Sequence, residues 1–368
     1  MITISLCMIV KNEESVLARC LESAKEIADE IIIVDTGSED QTKNIAAAYT
    51  DHVYDEVWQE NFSAARNQAF KRASMDYCMW LDADDVITEE NRKKLIELKQ
   101  TLDPDTDMVM MKYVVSEDQE GNPLFVYYRE RLIRNGRGFL WEGRVHEAIT
   151  PNGNVVYSDI AIYHRKTKVQ DEYRNLRIYE SMIKNKEALN ERSQFYYGRE
   201  LMTHGRHQEG IEVLEHFLEG NGWVENKIEA CLNLARCYQK LGRHQDRVNA
   251  LFKSFLYAAP RGEACFELGR YFQEREQWKE AVFWYETALR ISPPTEGGGF
   301  IQWDYYGFLP EINLCVCYDK MGDQKKAYEY HKRAMARKPD EEAVKQNQEY
   351  FCALGLDEPI QNTGHMIK

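Results

Sequence analysis

The chain of 368 residues carries 47 basic and 61 acidic side chains, and a net charge of −14 argues against nucleic-acid binding through its bulk field. A hydrophobic content of 43% with 29% charged residues is that of a globular protein with material for about two domains. Nine cysteines without a C-x-x-C pair, only Cys315 and Cys317 standing close together, point to buried free thiols in a reducing cytosol rather than zinc or disulfide chemistry. Met1 to Val10 is apolar but lacks a basic n-region and runs straight into Lys11-Asn12-Glu13-Glu14. No run approaches the roughly 20 apolar residues of a membrane span. Neither a signal peptide nor a span is expected, and the expected location is cytoplasmic.

Strands and helices alternate at first. Thr3 to Val10 reads as a buried strand, Glu13 to Ala24 as a helix, and Glu30 to Asp35 as a second buried strand ending in a carboxylate. Gly37 turns the chain, and Ser38 with Gln41 reads as a capping box for a helix through Ala48. His52 to Val57 is a short third strand, Phe62 to Ala73 a helix and Tyr77 to Leu81 the fourth strand. Such alternation predicts a mainly parallel sheet, whose ligands bind outside the carboxyl ends of the strands. From Asp107 the pattern becomes strand-only: Met108 to Val115, Leu124 to Ile133, Phe139 to Ile149 and Asn154 to Arg165, read as an antiparallel addition.

After Arg165 helical periodicity takes over, and it repeats. Phe266-Glu267-Leu268-Gly269, Ala281, Tyr285, Ala288 and Pro293 follow the small and aromatic spacing of a tetratricopeptide repeat. The frame returns at Leu314-Cys315, Tyr318, Ala327, His331, Ala334 and Pro339, and more faintly around Ala235 and Gly198. The register positions Gly198, Ala235, Gly269 and Cys315 lie 37, 34 and 46 residues apart, so the last interval holds an insertion, assigned to residues 293–306. It reads equally as an acceptor-contacting loop or as a plug between array and first domain. Stacked repeats build concave surfaces suited to peptides or partner proteins. Repeat arrays often dimerise, and a homodimer stays open.

The chemistry centres on Tyr77-Cys78-Met79-Trp80-Leu81-Asp82-Ala83-Asp84-Asp85, an apolar strand delivering three carboxylates at its end. Clustered acids there are suited to holding a divalent cation against a phosphate. The competing reading is an acidic turn that caps the next helix. Asp35 also ends a strand, so the alternation puts it on the same rim as Asp82, a coincidence that capping does not predict.

The first half resembles the family 2 glycosyltransferases, on Leu6-Cys7-Met8-Ile9-Val10-Lys11-Asn12-Glu13-Glu14, Ile33-Val34-Asp35-Thr36-Gly37-Ser38, Phe62-Ser63-Ala64-Ala65-Arg66-Asn67 and Leu81-Asp82-Ala83-Asp84-Asp85. Trp141-Glu142-Gly143-Arg144-Val145-His146-Glu147 looks like the branch with lipopolysaccharide-core enzymes. With the repeats, the whole chain is similar to bacterial tetratricopeptide glycosyltransferases, among them the bacteriocin S-glycosyltransferase type. The resemblance implies a GT-A fold, an α/β Rossmann-like mixed sheet, over residues 1–168. A helical connector over 169–192, an all-α repeat domain over 193–351 and a tail over 352–368 would follow.

It also implies site residues. Ile9, Val10, Asn12 and Asp35 would surround the nucleotide base, Glu14 and Ala83 would be among the nucleotide-sugar contacts, Arg66 would lie near the base or phosphates, and Asn67 would fix its helix. An ionised Asp35 accepts only, which matches the ring N–H of uracil and not cytosine. Asp82 and Asp84 form a D-x-D motif around Ala83. Asp84 would ligate Mn2+ or Mg2+, Asp82 would reach the ribose or the metal, His164 would complete the metal site, and Asp85 would contact sugar hydroxyls. Glu147 is the preferred base for inverting transfer and His146 the alternative. Strand alternation would send the two to opposite faces, so only one would meet the site. The family often places an aromatic residue before Asn12, whereas this chain has Lys11.

The implied partners are a nucleotide sugar, UDP-linked by the Asp35 argument, and a peptide or protein acceptor, with a glycolipid or oligosaccharide as the alternative. A nucleotidyltransferase or dinucleotide enzyme would need a glycine-rich loop after the first strand, which is missing. A non-catalytic repeat adaptor is disfavoured by the intact Asp35, Asp82 and Asp84.

Overall fold

The computed structural model describes residues 1–117, 121, 123–167, 171–293 and 302–356. Its contacts divide the chain into two compact units, Met1–His204 and Gly205–Lys368. Residues 171–204, expected as connector and repeat, thus lie with the first unit.

The first unit opens as β1 (Ile4–Val10), α1 (Leu17–Ala24), β2 (Glu30–Asp35), α2 (Thr42–Ala47), β3 (Val53–Asp55), α3 (Phe62–Phe70) and β4 (Tyr77–Trp80). It continues as β5 (Asp85–Val86), α4 (Glu89–Thr101), β6 (Met108–Glu117), β7 (Pro123–Arg134), β8 (Val155–His164), α5 (Arg174–Lys184) and α6 (Glu191–Thr203). The strands form one sheet in the order β3-β2-β1-β4-β7-β6-β8-β5. The first four are parallel, with Val10 opposite Asp35 and Cys7 opposite Trp80, so the carboxyl ends of β1, β2 and β4 share one rim. Alternate β1 residues serve two cores. Leu6, Met8 and Val10 pack with Leu17, Cys20 and Leu21 of α1 and Leu95 of α4, while Cys7 packs with Ile32, Val34, Cys78 and Ala69 of α3.

Four local expectations are corrected. Helix α1 starts at Leu17 rather than Glu13, because the Glu13 and Glu14 N–H groups donate to Thr42 Oγ1 and Asp40 Oδ2 across the sheet edge. Ser38 and Gln41 form no capping box: Ser38 Oγ accepts from Asn12 N–H, and Gln41 N–H donates to Glu14 Oε2. The added strands are not all antiparallel, since β6 pairs with β8 in parallel. Phe139 to Ile149 is not a strand. It is a loop closed by one bridge between Glu142 and Ala148, and the positive φ of Gly143 (94°) and His146 (51°) breaks the extended geometry.

The second unit holds α7 (His207–Glu219), α8 (Val224–Lys240), α9 (His244–Lys253), α10 (Gly262–Gln273), α11 (Trp278–Arg290), α12 (Phe308–Lys320), α13 (Gln324–Arg337) and α14 (Glu342–Ala353). The pairs α8/α9, α10/α11 and α12/α13 carry the repeat frame, and Ala281, Tyr285, Ala288, Ala327, His331 and Ala334 are all fully buried. Of the insertion, residues 294–301 lie outside the described residues, as do 357–368 of the tail. Its described end packs on α10: Tyr306 Oη donates to Glu263 Oε2 at 2.7 Å, and the Tyr305 ring meets Phe266 edge-on at 5.1 Å.

Gly269 shows why the register position is small. A Cβ there would lie 2.6 Å from the buried Tyr285 ring. Gly269→Val therefore overpacks this contact and should cost about 1–3 kcal/mol. The check is the urea midpoint of the full chain, which should fall; an unchanged midpoint would show that the ring moves freely.

Candidate active site at the carboxyl rim

Asp35 is fully buried at the end of β2. Its Oδ1 accepts from the Gly37 and Ser38 N–H groups at 2.9 and 2.7 Å, in a turn that Gly37 closes at φ +101°. Its Oδ2 is buried without a hydrogen-bond partner, an acceptor left for something else. Asn12, at φ 56°, donates its N–H to Ser38 Oγ at 2.9 Å and accepts from Glu39 N–H at 2.8 Å. With Glu14 on Gln41, it ties the β1–α1 loop to the β2–α2 loop. Val10 is buried and Ile9 partly so.

The acid run makes a tight turn between β4 and β5. Asp85 N–H donates to the Asp82 carbonyl at 3.0 Å, and Asp82 N–H donates to Asp85 Oδ2 at 3.0 Å. The turn does not cap α4, whose N-cap is Thr88. Asp85 points inward: fully buried, it accepts from Arg131 Nη1 at 3.1 Å and from Tyr113 Oη at 2.9 Å. That pairing corrects the expectation that Asp85 meets sugar hydroxyls. Ala83, expected among the donor contacts, is packed in the main core.

Antiparallel pairing of β5 with β8 sets Asp85 opposite His164. Ligand atoms of Asp84, Asp85 and His164 all lie within 4.8 Å of one another. His164 Nδ1 is 3.3 Å from an oxygen of each acid and 2.8 Å from Tyr113 Oη. Burial works against protonation of His164, but the two carboxylates outweigh it and push its pKa up to about 10. Two carboxylates and one imidazole suit Mn2+ or Mg2+, provided the imidazole gives up its proton. Asp82, expected beside Asp84 in this group, is instead drawn to Arg66.

Arg66 of α3 is sandwiched between Trp80 and Trp141, its guanidinium carbon 4.7 and 4.9 Å from the ring centroids. Its Nη2 donates to Asp82 Oδ1 at 2.6 Å and its Nε to Glu147 Oε1 at 2.7 Å, while Nη1 is buried without a partner. Burial pushes Asp82 up, and Arg66 outweighs it and holds the carboxyl down to about 2. Asn67 clamps Trp141, accepting from its N–H at 2.9 Å and donating to its carbonyl at 3.0 Å. Arg66 thus ties Glu147 of the loop to Asp82 of the acid turn.

His146 faces the other way. Its Nε2 meets Glu200 Oε1 at 2.9 Å, and its ring stacks on Tyr196 at 4.1 Å. Burial lowers its pKa, and Glu200 only partly offsets that. The two side chains do diverge, but through the left-handed backbone at His146 and not through strand alternation.

Sequence reading missed Arg131 and Tyr113, which hold Asp85 from β7 and β6. Alternation marks both as core-facing, and a buried arginine next to strand-end acids was the available signal. Arg131 is fully buried beneath Trp80, its guanidinium carbon 3.7 Å from the ring centroid. Arg131→Met strands a buried charge on Asp85 and should cost about 3–5 kcal/mol, read as a lowered urea midpoint. His164 gives a pH signature. Its pKa rises from 6.5 to about 10 on folding, so its contribution to stability is complete below pH 6.5 and fades as pH climbs through 10. In metal-free protein, the midpoint difference between wild type and His164→Gln should be widest below pH 6.5 and close by pH 10. A difference independent of pH would place the proton elsewhere.

Residues 5–166 match the sequence profile described as glycosyl transferase family 2. Over 229 residues the chain is 29% identical to the SPbeta prophage-derived glycosyltransferase SunS of Bacillus subtilis, covering 58% of this chain and 52% of SunS. Over 178 residues it is 30% identical to the lipopolysaccharide core biosynthesis glycosyltransferase LpsC of Rhizobium meliloti, covering 46% of this chain and 65% of LpsC. A TPR repeat-containing protein of Synechococcus elongatus is 36% identical over 149 residues, 40% of this chain and 36% of that protein. The chain thus spans between about a third and two thirds of the length of these relatives. Residues 5–166, which hold the carboxyl-rim acids, thus carry the glycosyl transferase family 2 profile, and helical pairs with a tetratricopeptide frame follow them in the chain.

Proposed function

We propose that the chain transfers a sugar from a UDP-sugar to a peptide or protein acceptor, with inversion at the anomeric carbon. The observation that carries this reading is the joint placement on one sheet rim of the orphaned Asp35 Oδ2 and the Asp84–Asp85–His164 group. In this reading Asp35 Oδ2 accepts the uracil N–H, and Asp82, a third exposed with Oδ1 held by Arg66, turns toward the ribose. Asp84 and His164, backed by Asp85, hold Mn2+ or Mg2+, which supplies charge neutralisation for the departing diphosphate. Glu147 takes the acceptor proton, and Arg66 orients it. His146 serves as a brace between loop 139–149 and α6.

The peptide acceptor rests on the repeats, since stacked helical pairs build concave surfaces suited to peptides. The similarity to LpsC favours the second reading, a glycolipid or oligosaccharide acceptor. Among the described residues no helix is long and apolar enough to cross a membrane. The nine cysteines are all free, which supports a cytoplasmic location.

The test is a screen of nucleotide sugars for Mn2+-dependent hydrolysis, followed by labelling of candidate acceptors read by mass spectrometry. UDP-sugars should be preferred and Asp84→Ala should remove the activity. Glu147→Gln should cut kcat about 100-fold or more while the affinity for the donor stays within about threefold. Hydrolysis that survives Asp84→Ala would contradict the site assignment.

A further inference from the structure

Arg174 opens α5, beyond the stretch matched by the family profile, and its guanidinium carbon lies 4.7 Å from the centroid of the Phe62 ring. Phe62 starts α3, one helical turn before Arg66. Because α3 joins parallel strands β3 and β4, its N-terminus lies on the carboxyl rim with Asp35 and the acid turn. The neighbouring Asn175 anchors this first turn: its Nδ2 donates at 3.1 Å to Glu200 Oε1, the oxygen that also meets His146. His146, Glu200 and Asn175 thus fix the place of Arg174.

Four nearby guanidinium groups already have carboxylates, while Arg19 and Arg192 are spent on the backbone carbonyls of Asp84, Arg165 and His146. Arg66 holds Asp82 and Glu147, Arg131 holds Asp85, Arg129 holds Glu130 and Arg144 holds Glu187. Arg174 has no carboxylate within ion-pair distance among the described residues, and donates only a long 3.4 Å bond to Asn175 Oδ1. Burial lowers its pKa, and the fields of Glu147, Asp171, Asp82 and Glu200 oppose that without overcoming it. Beside the metal, a diphosphate at this rim meets Arg66 and Arg131 already engaged by Asp82, Glu147 and Asp85. A guanidinium without a carboxylate of its own supplies a further cation, with paired donors suited to phosphate oxygens.

We propose that Arg174 is a phosphate-binding residue of this site, its guanidinium engaging the diphosphate of the donor. The inference rests on the nucleotide-sugar reading above. The test is calorimetric titration of the full chain with UDP and with uridine in the presence of Mn2+, for wild type, Arg174→Gln, Arg174→Lys and Asp84→Ala. Arg174→Gln should weaken UDP binding roughly tenfold or more and leave uridine binding unchanged, and Arg174→Lys should recover part of the loss. Arg174→Gln binding UDP like wild type, while Asp84→Ala does not, overturns this inference and leaves the site reading standing. Equal losses for UDP and uridine also overturn it, showing that Arg174 only supports the fold. If wild type binds neither UDP nor uridine, the nucleotide reading falls and takes this inference with it.

Discussion

The ion pair between Asp85 and Arg131 sets the geometry of the carboxyl rim. Both side chains are fully buried, and burying two charges is tolerable only with close pairing and further hydrogen bonds. Tyr113 Oη, the Asp82 N–H and the Trp80 carbonyl supply those bonds. By drawing Asp85 inward, the pair fixes a turn in which Asp82 and Asp84 are left at the surface of the rim. Asp82 then meets Arg66, and Asp84 meets His164. Three adjacent acids acquire three environments from one buried guanidinium.

A second charge system grows from Arg66. The two tryptophans that enclose it come from β4 and from loop 139–149, so the guanidinium links strand end, helix and loop. Glu147 is held from one side by this cation, and His146 is pulled to the opposite side by Glu200 and Tyr196. A single left-handed residue separates a carboxylate at the rim from an imidazole bound to a helix. The position of α5 follows from that second anchor, through Asn175 on Glu200.

The alternation of strand and helix made the parallel half of the sheet legible, because buried strands such as Glu30–Asp35 have a short apolar run and a clear carboxyl end. The rim position of Asp35 and the acid run followed from topology alone, and the repeat frame from its small and aromatic spacing. What was not legible depended on contacts between residues far apart in sequence. Strand β5 is two residues long and exists only because β8 pairs with it. The inward turn of Asp85 depends on Arg131, 46 positions later. The residues of loop 139–149 are apolar enough to imitate a strand, and the positive φ at a non-glycine, His146, gives no compositional signal. The roles of Ile9, Asn12 and Glu14 came from resemblance. The structure shows Asn12 and Glu14 joining two loops, a contact that motif matching cannot express.

The central claim is that one rim of the sheet holds a metal at Asp84 and His164 and a uracil base at Asp35. The most direct measurement is an anomalous-scattering map from crystals of the full chain grown with Mn2+ and UDP. The account predicts a manganese peak within bonding distance of Asp84 and His164, with Asp35 Oδ2 hydrogen-bonded to the base. A manganese peak elsewhere, or a base bound away from Asp35, would contradict it.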